Sequence, residues 1–205
     1  MRLAFFASGN GSTFQHLVET IVRENLPATA ALLVCTREDA FAVERARSLK
    51  IPSVILSRKQ FGSTEEHARA LLTVLEENSI EFVFLCGHLE LVPRAVVAAY
   101  HQRMLNIHPA LLPAFGGSGM YGRRVHDAVL AYGARISGAT VHFVDEEYDH
   151  GPILAQQIVL VQPHDTAESL GARVQTAEKG LYAGALRLIV KRRVQVNDRK
   201  VTILP

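Results

Sequence analysis

Short, almost uninterrupted apolar runs alternate along this chain with segments whose apolar positions recur every three or four residues. The runs at residues 3–7, 30–35, 53–56, 82–86 and 104–107 are bounded by turn-forming residues and predict strands. Helical periodicity between them predicts helices at 13–23, 40–50, 64–78 and 93–103, the last with Pro93 in its first turn. Strands with one wet face alternate apolar and polar residues. These do not, so they are expected to be covered on both sides. With helices between them, the expectation is an α/β protein: a Rossmann-like, three-layer fold around a mostly parallel sheet.

After Pro113 the pattern changes. A glycine-rich stretch, "FGGSGMYG", leads into a helix expected at 123–131. Residues 137–144 and 153–161 then read as two longer strands, expected to be antiparallel, joined by the acidic stretch "DEEYDHGP". The last element is a helix expected at 165–190, with Asp165 and Glu168 as its capping box. Leu170, Val174, Ala177, Leu181, Ala185 and Leu188 form its core stripe. Glu178 falls at the margin of that stripe, where a carboxylate either lines a cleft or simply reaches for solvent.

Composition changes this picture little. A chain of 205 residues, 48% apolar and 20% charged, buries a full core without disulfides or metals and is expected to form one domain over 1–205. A net charge of +2 makes no case for a nucleic-acid partner, and Lys191-Arg192-Arg193 reads as a solvated helix end. The N-terminal "MRLAFFASGNGS" is too short to cross a membrane and reads as a first strand rather than a leader, so a cytoplasmic protein with no membrane partner is expected. Cys35 and Cys86 sit far apart in apolar runs and read as reduced core thiols. The nine histidines include no H-E-x-x-H cluster, so no metal is expected.

Three stretches carry candidate chemistry. Ser8-Gly9-Asn10-Gly11-Ser12-Thr13 follows the first strand and opens the first helix, where free amides and the helix dipole favour an anion. It is no dinucleotide fingerprint, because Phe14 stands where a glycine is needed and Cys35-Thr36 supplies no ribose-binding acid. A site for one phosphate monoester is the preferred reading; a tight turn that binds nothing is the other. In "LNIHPALLP", Asn106 and His108 lie two apart in an extended strand and project from one face, and Pro109 holds His108 extended. An amide beside an imidazole suits oxyanion stabilisation and proton transfer in acyl transfer. A histidine satisfied by local backbone groups is the alternative. Asp149, in "DEEYDHGP", is either a partner that raises a histidine's pKa or one of a turn of solvated acids.

The stretches "SGNGS", "DAFAVERA", "LNIHPALLP", "SGATVHFVDEEYDHGPIL" and "RVQTAE" occur in an order and spacing that resemble the folate-dependent formyltransferase family, in particular its phosphoribosylglycinamide formyltransferase branch. The resemblance covers nearly the whole chain. It implies transfer of a formyl group from 10-formyltetrahydrofolate, a co-substrate, to the amine of phosphoribosylglycinamide in purine biosynthesis. It implies Asn106, His108 and Asp149 as catalytic residues, Gly11, Ser12 and Thr13 as the phosphate loop, and Gln175, Thr176, Ala177 and Glu178 as further substrate contacts. The folate walls it implies are Thr64, Leu89, Glu90, Leu91 and Val92, with Asn106 and Asp145, Glu146, Glu147, Tyr148 and Asp149. Residues 1–103 would then be the phosphate-binding half and 104–205 the catalytic and folate half. Thr64 and Glu90 stand where many members carry Arg or Lys, Lys179 replaces a common histidine, Ala183 a common proline and Thr13 a common asparagine. A hydrolase releasing formate, a formyltransferase with another amine acceptor and a non-catalytic folate-binding homologue are the alternatives.

Overall fold

The computed structural model describes residues 1–205. Seven strands share one sheet in the order β3-β2-β1-β4-β5-β6-β7, and β8 and β9 form a separate antiparallel pair. The chain divides into two compact units, Met1–Leu105 and Asn106–Pro205.

The first unit contains β1 (Arg2–Ala7), α1 (Ser12–Arg23), β2 (Thr29–Cys35), α2 (Phe41–Ser48), β3 (Ser53–Ile55), a 3-10 turn at Arg58–Gln60, α3 (Thr64–Glu77), β4 (Phe82–Leu85) and α4 (Arg94–Ala99). β1 pairs in parallel with β2 and β4, and β2 with β3. The apolar runs explain the arrangement. All of β4 and all but the first residue of β1 are buried, as expected for strands covered on two faces. Phe5 is the centre of this core, its ring 5.2 Å from Phe14 of α1 and 5.9 Å from Phe84 of β4.

One helix is shorter than its periodicity suggests. α4 stops at Ala99, and Pro93 is its N-cap rather than a residue of the first turn. The Tyr100 hydroxyl donates to the Ile80 carbonyl at 3.0 Å, and Gln102 adopts a left-handed φ of 55°. That anchored end forces the chain to turn before the next strand.

β5 (Met104–His108) crosses into the second unit, which continues with α5 (Arg123–Tyr132), β6 (Ile136–Phe143), β7 (Ile153–Leu160), α6 (Ala167–Val190), β8 (Val194–Asn197) and β9 (Lys200–Ile203). β6 and β7 are antiparallel, as expected. Val129, Leu170 and Val174 form a buried cluster under Phe115 and Val159.

α6 departs from its expected pattern in two ways. Its capping box is Thr166 with Ser169, the side chain of each accepting the other's amide at 3.2 and 3.0 Å. Asp165 is instead held by Arg173, one guanidinium contact measuring 2.8 Å, and by the Gln162 amide at 2.7 Å. The guanidinium outcompetes the helix end for that carboxylate. The buried row is also different: Leu170, Val174, Tyr182, Leu186 and Val190 recur at steps of four or eight, while Ala177, Leu181 and Leu188 are only partly buried. Glu178 lies four residues from both Val174 and Tyr182 on the same face and is itself only partly buried. Ala183 is buried and keeps the amide that proline lacks, so α6 runs unbroken.

The C-terminal hairpin was not legible in the basic run before it. Lys191 is the exposed C-cap of α6, so the run is the solvated helix end expected, and exposed Arg192, at a φ of 54°, turns the chain on into β8.

Candidate active site

In the first unit the strand order reverses at β1, which lies between β2 and β4. Ligands of open α/β sheets bind outside the carboxyl ends of strands at such a point. The loops after β1 and β4 are tied together there by Ser8. Its amide donates to the Gly87 carbonyl at 3.1 Å, and its hydroxyl accepts from the Leu89 amide at 3.0 Å and from the Thr36 hydroxyl at 2.8 Å.

Gly11 is the N-cap of α1, with a left-handed φ of 73°, and a side chain there would meet Ala42 Cα and Cβ at 2.7 Å. Only glycine fits that approach to α2. No side chain caps α1, so its first amides, at Ser12 and Thr13, remain available to an anion. Arg45 of α2 fixes the loop, donating to the Asn10 carbonyl at 2.8 Å and to Asn10 Oδ1 at 2.9 Å while its guanidinium lies over the Phe41 ring. Arg45 lies within "DAFAVERA", but nothing in its spacing marked it as the residue that shapes this loop.

Thr64, Glu90 and Arg58 come together beside the same unit's 3-10 turn. Both carboxylate oxygens of Glu90 are engaged, one by the Ser57 hydroxyl at 2.7 Å and the other by the Arg58 amide at 2.9 Å. Arg58 Nε donates to the Thr64 hydroxyl at 3.3 Å. Leu89 and Leu91 on either side of Glu90 are about half exposed, at 50% and 45%, whereas Val92 is buried.

The second unit gathers the polar residues of β5. Asn106 Nδ2 lies 3.3 Å from Asp149 Oδ1, and His108 Nδ1 lies 3.3 Å from Asp149 Oδ2. The strand alternation that puts Asn106 and His108 on one face thus aims both at a single carboxylate. Asp149, at a left-handed φ of 54°, also accepts from the Gly117 amide at 3.0 Å. A side chain on neighbouring Gly116 would meet Asp149 Cβ at 3.2 Å and Leu112 at 2.5 Å, so the glycines of "FGGSG" let the loop close on the acid.

His142 completes the cluster and was not singled out from sequence. Its Nδ1 faces the Phe143 carbonyl at 2.9 Å, which leaves Nε2 to accept from Asn106 Nδ2 at 3.0 Å. Thr140 and His142 repeat in β6 the polar pair, two residues apart in an apolar strand, that Asn106 and His108 make in β5; that repetition was the available signal. Thr140 secures the chain just after His108: its hydroxyl donates to the Ala110 carbonyl at 2.7 Å and accepts from the Leu112 amide at 3.0 Å.

The electrostatics separate the two partners. Burial pushes the Asp149 carboxyl up, but the polar groups around it, the His108 ring and the Gly117 amide among them, outweigh it, so its pKa lies below the usual value and the group is ionised. For His108 the balance reverses. Burial lowers its pKa further than Asp149 and the Phe115 carbonyl, 2.8 Å from Nε2, raise it. Asp149 does pull in the expected direction, but His108 rests neutral because it is almost fully buried. The local backbone contact expected of an inert histidine is present as well, alongside the carboxylate.

On α6, burial lifts the Glu178 carboxyl to about 7. Gln175 and Thr176 point to solvent, and the Thr176 hydroxyl is spent on the Ala172 carbonyl at 3.0 Å. Of the acidic loop, Asp145 binds the Glu147 amide at 3.1 Å and the His150 ring at 2.7 Å, while Glu146, Glu147 and Tyr148 are exposed. No group of histidines, cysteines and carboxylates in the structure could hold a metal ion. No helix is long and apolar enough to cross a membrane.

The chain is similar to known proteins. A family model described as formyl transferase matches residues 1–186. The chain is 43% identical over 204 residues to the chloroplastic phosphoribosylglycinamide formyltransferase of Arabidopsis thaliana, covering 99% of this chain and 70% of the relative. It is 35% identical over 198 residues to the phosphoribosylglycinamide formyltransferase of Bacillus subtilis, covering 97% of each. Among solved structures, glycinamide ribonucleotide transformylase 1 from Symbiobacterium toebii has a TM-score of 0.93 and 32% identity, covering 100% of this chain and 94% of that one. With the family model spanning both units and the polar cluster of β5 and β6 lying inside it, the chain belongs to the formyl transferase family.

Proposed function

We propose that this chain transfers the formyl group of 10-formyltetrahydrofolate to the amine of phosphoribosylglycinamide, a step of purine biosynthesis. The observation that carries the reading is the buried cluster in which Asn106, His108 and His142 surround one ionised carboxylate, Asp149. Such a cluster has what acyl transfer to an amine requires: amide hydrogens for a developing oxyanion, and an imidazole that can carry a proton from the attacking nitrogen to the departing one.

10-Formyltetrahydrofolate supplies the formyl carbon. Two exposed leucines, Leu89 and Leu91, fit a flat apolar ring system, and the Glu90 carboxylate between them is held by hydrogen bonds from the Ser57 hydroxyl and the Arg58 amide. Thr64 and Asp145–Asp149 complete the folate assignment. The substrate phosphate is assigned to Gly11, Ser12 and Thr13, and the rest of the ribonucleotide to Gln175–Glu178, where the raised pKa of Glu178 suits a carboxyl that gains hydroxyl partners on binding.

Asn106 has two amide hydrogens. One is committed to His142 and the other makes the longer, 3.3 Å approach to Asp149, which an oxyanion can replace. His108 has acceptors at both nitrogens, so no neutral tautomer serves both. Protonation satisfies both, and burial is what opposes it. A histidine held neutral but flanked by acceptors is suited to take the amine's proton as the new C–N bond forms, and to return it as the old one breaks. The two buried thiols, Cys35 and Cys86, are unpaired, in keeping with a cytoplasmic protein acting on small molecules.

Loss of 10-formylfolate absorbance, followed with and without phosphoribosylglycinamide, tests the reading. Turnover that depends on the ribonucleotide is expected. Turnover without any acceptor would make the chain a hydrolase, turnover only with another amine would reassign the acceptor, and folate binding without turnover would leave a binding protein.

A further inference from the structure

The loop that carries Asp149 leaves β6 at Phe143 and returns at Ile153. Its base is closed by the Phe143 amide donating to the Pro152 carbonyl at 2.8 Å and by Gly151, whose missing side chain would fall 1.9 Å from the Phe143 carbonyl. Between those points Asp149 adopts the left-handed backbone that a residue with a side chain enters at a cost. Its aim at Asn106 and His108 therefore depends on what holds the residue immediately after it.

That residue, His150, is held from the C-terminal hairpin. Arg199, next to the Asp198 turn between β8 and β9, donates through NH2 to the His150 carbonyl at 2.8 Å. Its NH1 approaches His150 Nε2 at 3.4 Å, and His150 Nδ1 lies 2.7 Å from Asp145 Oδ2. One neutral tautomer serves both ring contacts: Nδ1–H donates to Asp145, and the Nε2 lone pair faces the guanidinium. Asp145 in turn accepts the Glu147 amide through its other oxygen. The sequence Arg199, His150, Asp145, Glu147 thus grips the loop at three of its residues, and one hold falls on the carbonyl of His150, the residue that follows Asp149.

We propose that Arg199 is a positioning residue for Asp149, and that the C-terminal hairpin serves as the brace of the acidic loop. The contacts are exposed, and individually such pairs are weak. Their effect comes from acting together on a segment whose backbone is strained at the residue that must not move. The kinetic half of the proposal rests on the formyl-transfer reading, whereas the structural half does not.

The test uses the full chain as wild type, Arg199→Ala, Arg199→Lys, and the pair His150→Ala and Arg199→Ala alone and combined. Amide hydrogen exchange resolved to the segment 144–151 is expected to speed up by about 10-fold in Arg199→Ala, with lysine restoring part of the protection through the His150 carbonyl. The alanine variant is expected to lose roughly 3- to 10-fold in kcat at unchanged KM for phosphoribosylglycinamide. The two alanine substitutions are expected to be non-additive, because they interrupt one chain of contacts. Unchanged exchange over 144–151 in Arg199→Ala overturns the brace, and so does faster exchange confined to residues 194–203 with kcat intact. A wild-type protein without formyl transfer would defeat the proposed function, while the exchange comparison would still decide whether Arg199 holds the loop.

Discussion

Asp149 is the residue on which the second unit's chemistry turns, because it is a buried carboxylate kept ionised by donors that are themselves candidate catalysts. Replacing it by asparagine leaves a similar shape but removes the charge beside His108. Turnover is expected to fall by roughly 100-fold or more, and His108→Ala by roughly 100- to 1,000-fold. The pH profile carries the sharper test. Since burial holds His108 below the ordinary histidine value of about 6.5, the acid limb of kcat/KM is expected below that value, with activity lost as His108 becomes protonated. Asp149 raises the His108 pKa, so in Asp149→Asn the limb should move to still lower pH. A limb that stays in place, or moves upward, would remove His108 from the proton-carrying role.

Among the elements, α6 shows most clearly how packing changes the meaning of a residue. Periodicity put Glu178 beside the apolar stripe; in the fold it is partly buried on the face that carries Val174 and Tyr182, and burial raises its carboxyl to about 7. In the unfolded chain that group titrates near 4.5. Between those values the folded state binds the extra proton, so stability falls as pH rises through this window and remains lower above it. Glu178→Gln should therefore be more stable than wild type at pH 8, by about 1–3 kcal/mol, and nearly equal to it at pH 4.5. Urea unfolding at the two values measures this, and an equal difference at both would mean that Glu178 is not desolvated. α6 also shows the limit of a local capping rule: Asp165 had the spacing of a cap, but Arg173 claimed it from two turns away.

For the molecule as a whole, the two substrates are assigned to backbone amides, apolar side chains and one buried cluster, all of which exist only in the folded chain. Each substrate should therefore stabilise the native state. Phosphoribosylglycinamide at 100 times its Kd is expected to add about 2.7 kcal/mol, a rise in unfolding temperature of roughly 5–10 °C for a chain of this size. Exchanging Ser12 and Thr13 for alanine should reduce the rise for the ribonucleotide and leave that for the folate. Thermal denaturation with each ligand separately is sufficient; a ribonucleotide shift that survives the double substitution unchanged would remove the two hydroxyls from phosphate binding and leave it to the backbone amides of α1.

Much of this architecture was readable in the linear pattern, because parallel strands covered on both faces are written as short continuous apolar runs and the helices between them as amphipathic repeats. The pairing of Asn106 with His108 was equally local, a consequence of strand alternation and of Pro109. What depended on distance along the chain was not written locally. His142 joins Asn106 from 36 residues away, Arg45 holds Asn10 from 35, and Arg199 reaches the His150 loop from 49. Burial, too, is a property of the packed molecule: it leaves His108 neutral against the pull of Asp149 and gives Glu178 its raised pKa. The residues and their faces were determined by the sequence, whereas their charge states and distant partners were decided by tertiary structure, since desolvation and long-range contact arise only when the chain is folded.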